Sequence, residues 1–387
     1  MPRLRIAAVD QEHGVTPREL FFDLVFVFGF TQVTTLLAHH PTFAGIGHGV
    51  LVLAALWWAW AGYAALTNTV DPEMGPVGAA LLVALTAMFV AALAVPRAFG
   101  ETGVLFGAAF FVVCAMHLAV YALAGRGNPE LLGAVLRLAP WELLGAALIV
   151  VAGFTSGART WLWLAALACA YGGGLVIGST GWMIHPSHFA ERFGLVVIIA
   201  LGEAFISIGI GTSGIDLAGP EVVAAVLGLL IATSFWLAYF DFFSIRSEQI
   251  LTGARGPARV ALARDVYTYL HFPMIVGIVL VAFAMKNVIA HVGRELDWVL
   301  AFALCGGCAI YLLTYSAIRI RVGRHWSLSR GRFTAALAFL LLLPIATMIP
   351  ALTVLSLVLV VWVALHTYEL VWWRAQRAES RSALTSS

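Results

Sequence analysis

The chain has 387 residues, of which 61% are hydrophobic and 11% charged, with a net charge of +2. Soluble domains carry roughly 25% charged residues, so a soluble globular fold is excluded, and a net charge this small gives nucleic acid no electrostatic footing. Long apolar runs recur from Phe21 to Val371 and leave no stretch for a soluble domain of useful size, so the fold class is an all-α polytopic membrane protein in contact with the lipid bilayer.

In chain order, residues 1–18 form a polar N-terminal segment (Arg3, Arg5, Asp10, Glu12), and the first apolar run lacks a small-residue cleavage site, so no signal peptide is expected. Runs of about 20 apolar residues predict twelve spans, at 20–37, 47–66, 77–96, 103–124, 132–154, 160–178, 190–211, 220–243, 267–287, 298–318, 333–349 and 351–372. Arg137, Pro140 and Glu142 interrupt the start of the fifth. The eleventh and twelfth are parted only around Pro350, which reads as a tight turn or a kink. The polar stretch Ala375–Ser387, within a cytoplasmic tail of 374–387, reads as loosely held.

Orientation follows from the basic residues. With the N-terminus in the cytoplasm, 18 arginines fall on inner segments, while Arg97, Arg159, Lys286 and Arg294, 4 in all, fall outside. Both termini are therefore expected in the cytoplasm. The arginines of 244–264 and 319–332 read as topology determinants, with anionic lipid head groups as the alternative.

An internal repeat is also expected. CAMHLAVY (114–121) returns as CAIYLLTY (308–315), LWWAWAGY (56–63) resembles SFWLAYFD (234–241), and Glu19-Leu-Phe21 resembles Glu191-Arg-Phe193. This suggests parallel six-helix halves, 19–178 and 179–373, of the kind that place a transport site between them. Glycines four apart (Gly45/Gly49, Gly103/Gly107, Gly174/Gly178) read as close-packing devices.

The chemistry lies in a few polar groups within spans. Glu203 is eleven residues past Arg192, about 16 Å along a helix, on the same face and too far to pair with it. It needs a partner from another helix, a water-filled cavity or a proton. In span 1, Glu19 and Asp23 are i, i+4 and face one way. Glu19 suits a helix N-terminus, and Asp23 lies deeper, as a functional acid or as a structural partner of Arg18 or Arg192.

His271 is a candidate proton relay or a hydrogen-bonded core histidine. His117 and His366 read as hydrogen-bonding groups. His185, His188 and Glu191 have metal-compatible spacing in a nonspecific context, and no metal or cofactor is expected. Cys114, Cys169, Cys305 and Cys308 all sit in apolar runs and read as packing residues, CGGC (305–308) included. No phosphate loop, nucleophile elbow or HExxH occurs, so enzymatic activity has no positive support and no residue is assigned a catalytic role.

Glu19-Leu-Phe-Phe-Asp23-Leu-Val-Phe-Val27 resembles the opening signature of the bacterial low temperature requirement protein A family. His188-x-x-Glu191-Arg-Phe-Gly194, Leu201-Gly-Glu203, and Tyr269-x-His271 with Pro273 and Gly277 resemble further elements in the same order. The resemblance implies a bacterial inner-membrane protein, supplies no substrate, and falls on the same residues: Glu19, Asp23, Glu191, Arg192, Glu203 and His271. A fainter likeness, to lysosomal potassium channels of two six-helix repeats, rests on Arg18 and Phe22-Asp23; the serine and spacing of that pattern are missing. The resulting expectation is a transporter or channel for a proton, a small cation or an organic solute, using the carboxylates of spans 1 and 7. A gate or ion-pair lock would form around Glu191 and Arg192. The alternative is a non-transporting structural or stress-adaptation membrane protein.

Overall fold

The computed structural model describes residues 14–73, 75–215, 218–240, 250–322 and 330–385, with side chains to 371. Arg3, Arg5, Asp10, Glu12, Arg246 and Arg324 lie outside the described residues, as do the last residues of the predicted eighth span and the side chains of the polar tail.

A helix occupies each of the twelve predicted positions. These are α1 (Pro17–His39), α2 (Phe43–Thr67), α3 (Gly75–Ala94), α4 (Gly103–Ala124), α5 (Pro129–Gly153), α6 (Arg159–Val176), α7 (Pro186–Gly211) and α8 (Gly219–Tyr239), then α9 (Gly256–His291) and α10 (Trp298–Arg321), α11 (Arg330–Ala346) and α12 (Ala351–Thr385). No strand occurs among the described residues. Ten of the helices are long and apolar enough to cross a membrane. The other two, α6 with 18 residues and α11 with 17, do not meet that measure, so among the described residues ten helices are long and apolar enough to span where twelve spans were expected.

Local chemistry sets the helix starts. The hydroxyl of Thr16 accepts from the Glu19 N–H while the Glu19 carboxylate accepts from the Thr16 N–H, and Pro17 occupies the first turn of α1. That reciprocal cap satisfies two otherwise orphaned donors. The Asn128 side chain accepts from the N–H groups of Glu130 and Leu131 to start α5. The helix then runs through Pro140, so the polar cluster at 137–142 does not break it; proline costs one backbone bond, and the packed neighbours hold the rest. The segment around Pro350 is a turn between two helices rather than a kink. The Met348 N–H bonds to the Ile345 carbonyl, and Pro350 bridges to Glu295. α12 continues to Thr385, so the predicted loose tail is helical through that point.

Contacts divide the chain into two compact units, Met1–Glu203 with Ser244–Phe272, and Ala204–Phe243 with Pro273–Ser387. In the first, α3 packs along α4, α4 along α5 and α5 along α6, while α1 lies against α2 and α3. Small residues set the closest approach: a Cβ on Gly107 would fall 2.7 Å from the Val150 Cα, so the expected packing role of Gly103/Gly107 holds. In the second unit, α12 packs on α8 and α11, and α11 on α10. Its core centres on Trp362, which meets Phe235 and Phe339. Outward positions stay apolar, as at Leu24, Leu136, Trp161 and Val360, which is the surface a hydrocarbon solvent requires. All four cysteines are free thiols.

Within α9 and α10 the helix widens into π-helix, at Ala263–Leu270 and Phe302–Gly306. The first lies immediately before His271. The arginines of the loop after α10 do not all face head groups: Arg332 is fully buried, with Nε 2.6 Å and Nη2 3.1 Å from the two oxygens of Glu369. Its guanidinium also lies 3.5 Å from the centre of the Tyr315 ring. A planar fork matched by a carboxylate and an aromatic face explains how a charge is tolerated there.

Candidate functional site

The site lies along α1 and α7, within the first unit. Glu19, in the first turn of α1, and Asp23, one turn on, present their carboxylates to the same side. Arg192 of α7 divides its guanidinium between them, with Nη1 2.8 Å from Glu19 Oε1 and Nη2 2.7 Å from Asp23 Oδ1. All three side chains are buried. Trp60 of α2 donates its indole N–H to Asp23 Oδ1 at 2.9 Å, and its ring lies 6.0 Å from the guanidinium carbon. Arg18, the other partner considered for Asp23, turns instead to Glu73 and the Pro72 carbonyl.

The protonation of His188 can be read from its neighbours. The backbone N–H of His185 donates to Asn68 Oδ1 at 2.7 Å, which fixes the amide. Asn68 Nδ2 therefore donates, to the His185 carbonyl and to His188 Nδ1 at 3.1 Å. With Nδ1 accepting, the ring is neutral and carries its proton on Nε2. That N–H donates to Glu19 Oε2 at 3.1 Å. A chain of polar contacts thus runs from the end of α2 through His188 to Glu19, Arg192, Asp23 and Trp60.

The charge of this cluster does not cancel. Arg192 brings one positive charge to two carboxylates, and His188 brings none. Asp23 Oδ2 is buried and makes no hydrogen bond among the described residues. A surplus negative charge in a low-dielectric interior must be met by a proton or a cation.

Glu203 is a second station on the same pair of helices. It is fully buried, and its carboxylate meets Thr31 Oγ1 at 2.5 Å and Thr34 Oγ1 at 2.7 Å, both on α1. Each hydroxyl has one proton and two acceptors in reach, since Thr31 also faces the Val27 carbonyl at 3.2 Å and Thr34 the Thr31 carbonyl at 3.0 Å. The two threonines can therefore donate to a carboxylate or accept from a carboxylic acid without moving. Asp23 and Thr31 are eight residues apart on α1, about 12 Å at 1.5 Å per residue, so Asp23 and Glu203 occupy separate stations.

The remaining predicted residues sit elsewhere. Glu191 is exposed and accepts from the Val15 N–H at 3.3 Å, so it guards the start of α1 and is not part of the buried lock. His271 is fully buried and donates from Nδ1 to the Val266 carbonyl at 2.8 Å. Its ring stacks on Tyr267 and meets the edge of Phe193, so the partners described for it are a carbonyl and aromatic rings. His185, His188 and Glu191 diverge to different partners. Among the described residues no group of three metal-ligating side chains converges.

Sequence reasoning missed Trp60, Asn68, Thr31 and Thr34 as partners, and it passed over Glu142 as a helix interruption. Glu142 is buried beside His117, with 2.9 Å between its Oε1 and the histidine Nδ1. The three-residue spacing of Thr31 and Thr34 on one face of span 1 was the readable signal for the pair that meets Glu203.

A helical body of membrane-length elements with charged groups buried between them defines a multi-pass membrane protein. The chain belongs to the bacterial low temperature requirement A (LtrA) family, whose model, "Bacterial low temperature requirement A protein", matches residues 14–367. It is also 31% identical over 322 residues, 80% of this chain and 78% of the relative, to "Uncharacterized protein RA0937" of Rhizobium meliloti (strain 1021). No solved structure matches it.

Proposed function

We propose that the protein is a bacterial inner-membrane transporter or channel in which the carboxylates of α1 and α7 bind a proton or small cation during passage of that ion or of a coupled organic solute. The observation that carries this reading is the unbalanced charge at Glu19, Arg192 and Asp23. A purely structural lock needs only one carboxylate for one arginine, and a second buried acid is costly unless it is used. Glu203, between hydroxyls that suit either protonation state, is the next station along the same helices.

The topology proposed with it has twelve spans, both termini cytoplasmic, and two parallel six-helix halves, 19–178 and 179–373. Glu19 and His188, Asp23 and Arg192, and Thr34 and Glu203 are each separated by 169 residues. A constant offset means that α1 and α7 run parallel. Between two parallel spans lies an odd number of crossings. Since α2 to α5 are four membrane-length helices, parity supports α6 as the fifth.

The test is reconstitution in liposomes under imposed proton, potassium and sodium gradients, comparing the wild type with Asp23→Asn and Glu203→Gln. Flux in the wild type that is lost in either variant is expected. Equal flux in all three would overturn the role of the acids. No flux under any gradient, with folded protein, would favour the structural reading, for which the two short ion pairs of Arg192, to Glu19 and to Asp23, are the favouring observation.

A further inference from the structure

We propose that the cavity between α2, α4, α5, the end of α6 and the start of α9, in the first unit, binds a small primary ammonium ion. This site is separate from the α1–α7 carboxylates and stands whether or not the protein transports. The cavity has a volume of about 130 Å³. A dry cavity of about 150 Å³ admits benzene, with six heavy atoms, so the volume suits an amine of about five. His117 and Glu142 line it, together with the aromatic rings of Trp58, Tyr121 and Trp182.

Two observations select the ligand chemistry. First, His117 Nε2 and Glu142 Oε2 are both buried, and neither has a hydrogen-bond partner among the described residues. The Glu142 Oε1 accepts from the His117 Nδ1–H at 2.9 Å, so in the neutral imidazole Nε2 carries a lone pair. The cavity thus offers two acceptors and needs N–H donors. Second, the carboxylate shares the cavity with three aromatic rings, a lining that favours a cation. Arg264, which also lines the cavity, is already neutralised by Asp265 at 2.8 Å. A quaternary ammonium would satisfy the charge but leave both acceptors unbonded. A primary ammonium satisfies both. The aminoethyl head group of a phospholipid carries the same chemistry as a free amine.

The experiment is isothermal titration of the full chain, purified in detergent, with n-butylammonium, tetramethylammonium and 1-butanol. The two ions have the same charge and heavy-atom count but differ in N–H donors, and the alcohol reports partitioning into the micelle. Saturable binding of n-butylammonium is expected, at least about tenfold weaker for tetramethylammonium, since a charge-assisted hydrogen bond is worth about that factor or more. Glu142→Gln should weaken it by a similar factor.

A second variant tests the space rather than the charge. A Cβ on Gly62 would lie 3.1 Å from His117 Nε2, so Gly62→Ala, which favours the helix, should also weaken binding. Displacement by phosphatidylethanolamine but not phosphatidylcholine would assign the lipid head group as the source, and displacement by neither would assign the free amine. Absence of saturable n-butylammonium binding to folded wild type, equal binding of tetramethylammonium, or unchanged binding in both variants would overturn the proposal.

Discussion

Asp23 and Arg192 meet at 2.7 Å across 169 residues of chain, and the same offset brings Thr34 within 2.7 Å of Glu203. The eleven-residue interval from Asp23 to Thr34 on α1 equals that from Arg192 to Glu203 on α7, about 16 Å in each case. One register therefore fixes both polar stations, and a shift of either helix would open both.

Arg192→Gln should be among the most destabilising substitutions in the protein. It leaves Glu19 and Asp23 buried and facing each other without a cation, a situation that costs about 3–5 kcal/mol. Unfolding in mixed micelles should show the loss, and adding Asp23→Asn should recover part of it. Additive effects of the two substitutions would contradict the pairing.

Glu203→Gln should leave stability within about 1 kcal/mol of the wild type. The amide oxygen can accept from Thr34 while the amide nitrogen donates to Thr31, whose own proton then turns to the Val27 carbonyl. Flux should nevertheless be lost, because an amide exchanges no proton at neutral pH. A large loss of stability with unchanged flux would make Glu203 a helix tie.

How much of this was readable in the sequence varied with the interaction range. Each of the twelve apolar runs falls on a helix among the described residues, because hydrocarbon burial needs a run of fixed length. The helix ends were less legible. Thr16 starts α1 through a cap with Glu19, so a single acid both caps the helix and pairs with Arg192. The pairing of Asp23 with Arg192 was one of two readings, since spacing along α1 cannot say which arginine approaches from another helix. In the sequence Glu142 reads only as an interruption of its span, because nothing within one helical turn reveals that His117, 25 residues earlier, stands beside it.

Outside the spans, His185 gives a pH dependence. Burial, with the charge of Arg259 adding to it, holds its pKa below the usual value of 6.5. The folded state thus binds its proton less readily than the unfolded state, and the stability this contributes is present above about pH 6.5 and lost as pH falls through the lower folded value. Chemical denaturation between neutral and mildly acidic pH should show decreasing stability, with a shallower slope in His185→Gln. An identical slope would contradict the assignment.

In the second unit, Arg332→Met should cost about 3–5 kcal/mol by stranding Glu369. Arg332→Met combined with Glu369→Leu should recover most of it, because the buried pair is then replaced by apolar volume. Failure of the double variant to recover would show that contact with the Tyr315 ring, not the ion pair, holds Arg332.

The most direct measurement is infrared difference spectroscopy of the reconstituted protein during a pH jump, with Asp23→Asn and Glu203→Gln as controls. If the carboxylates of α1 and α7 exchange protons, acidification produces carbonyl bands of newly protonated carboxyl groups, and each substitution removes one. A spectrum that neither substitution changes would contradict the account, because both acids would then hold one protonation state throughout.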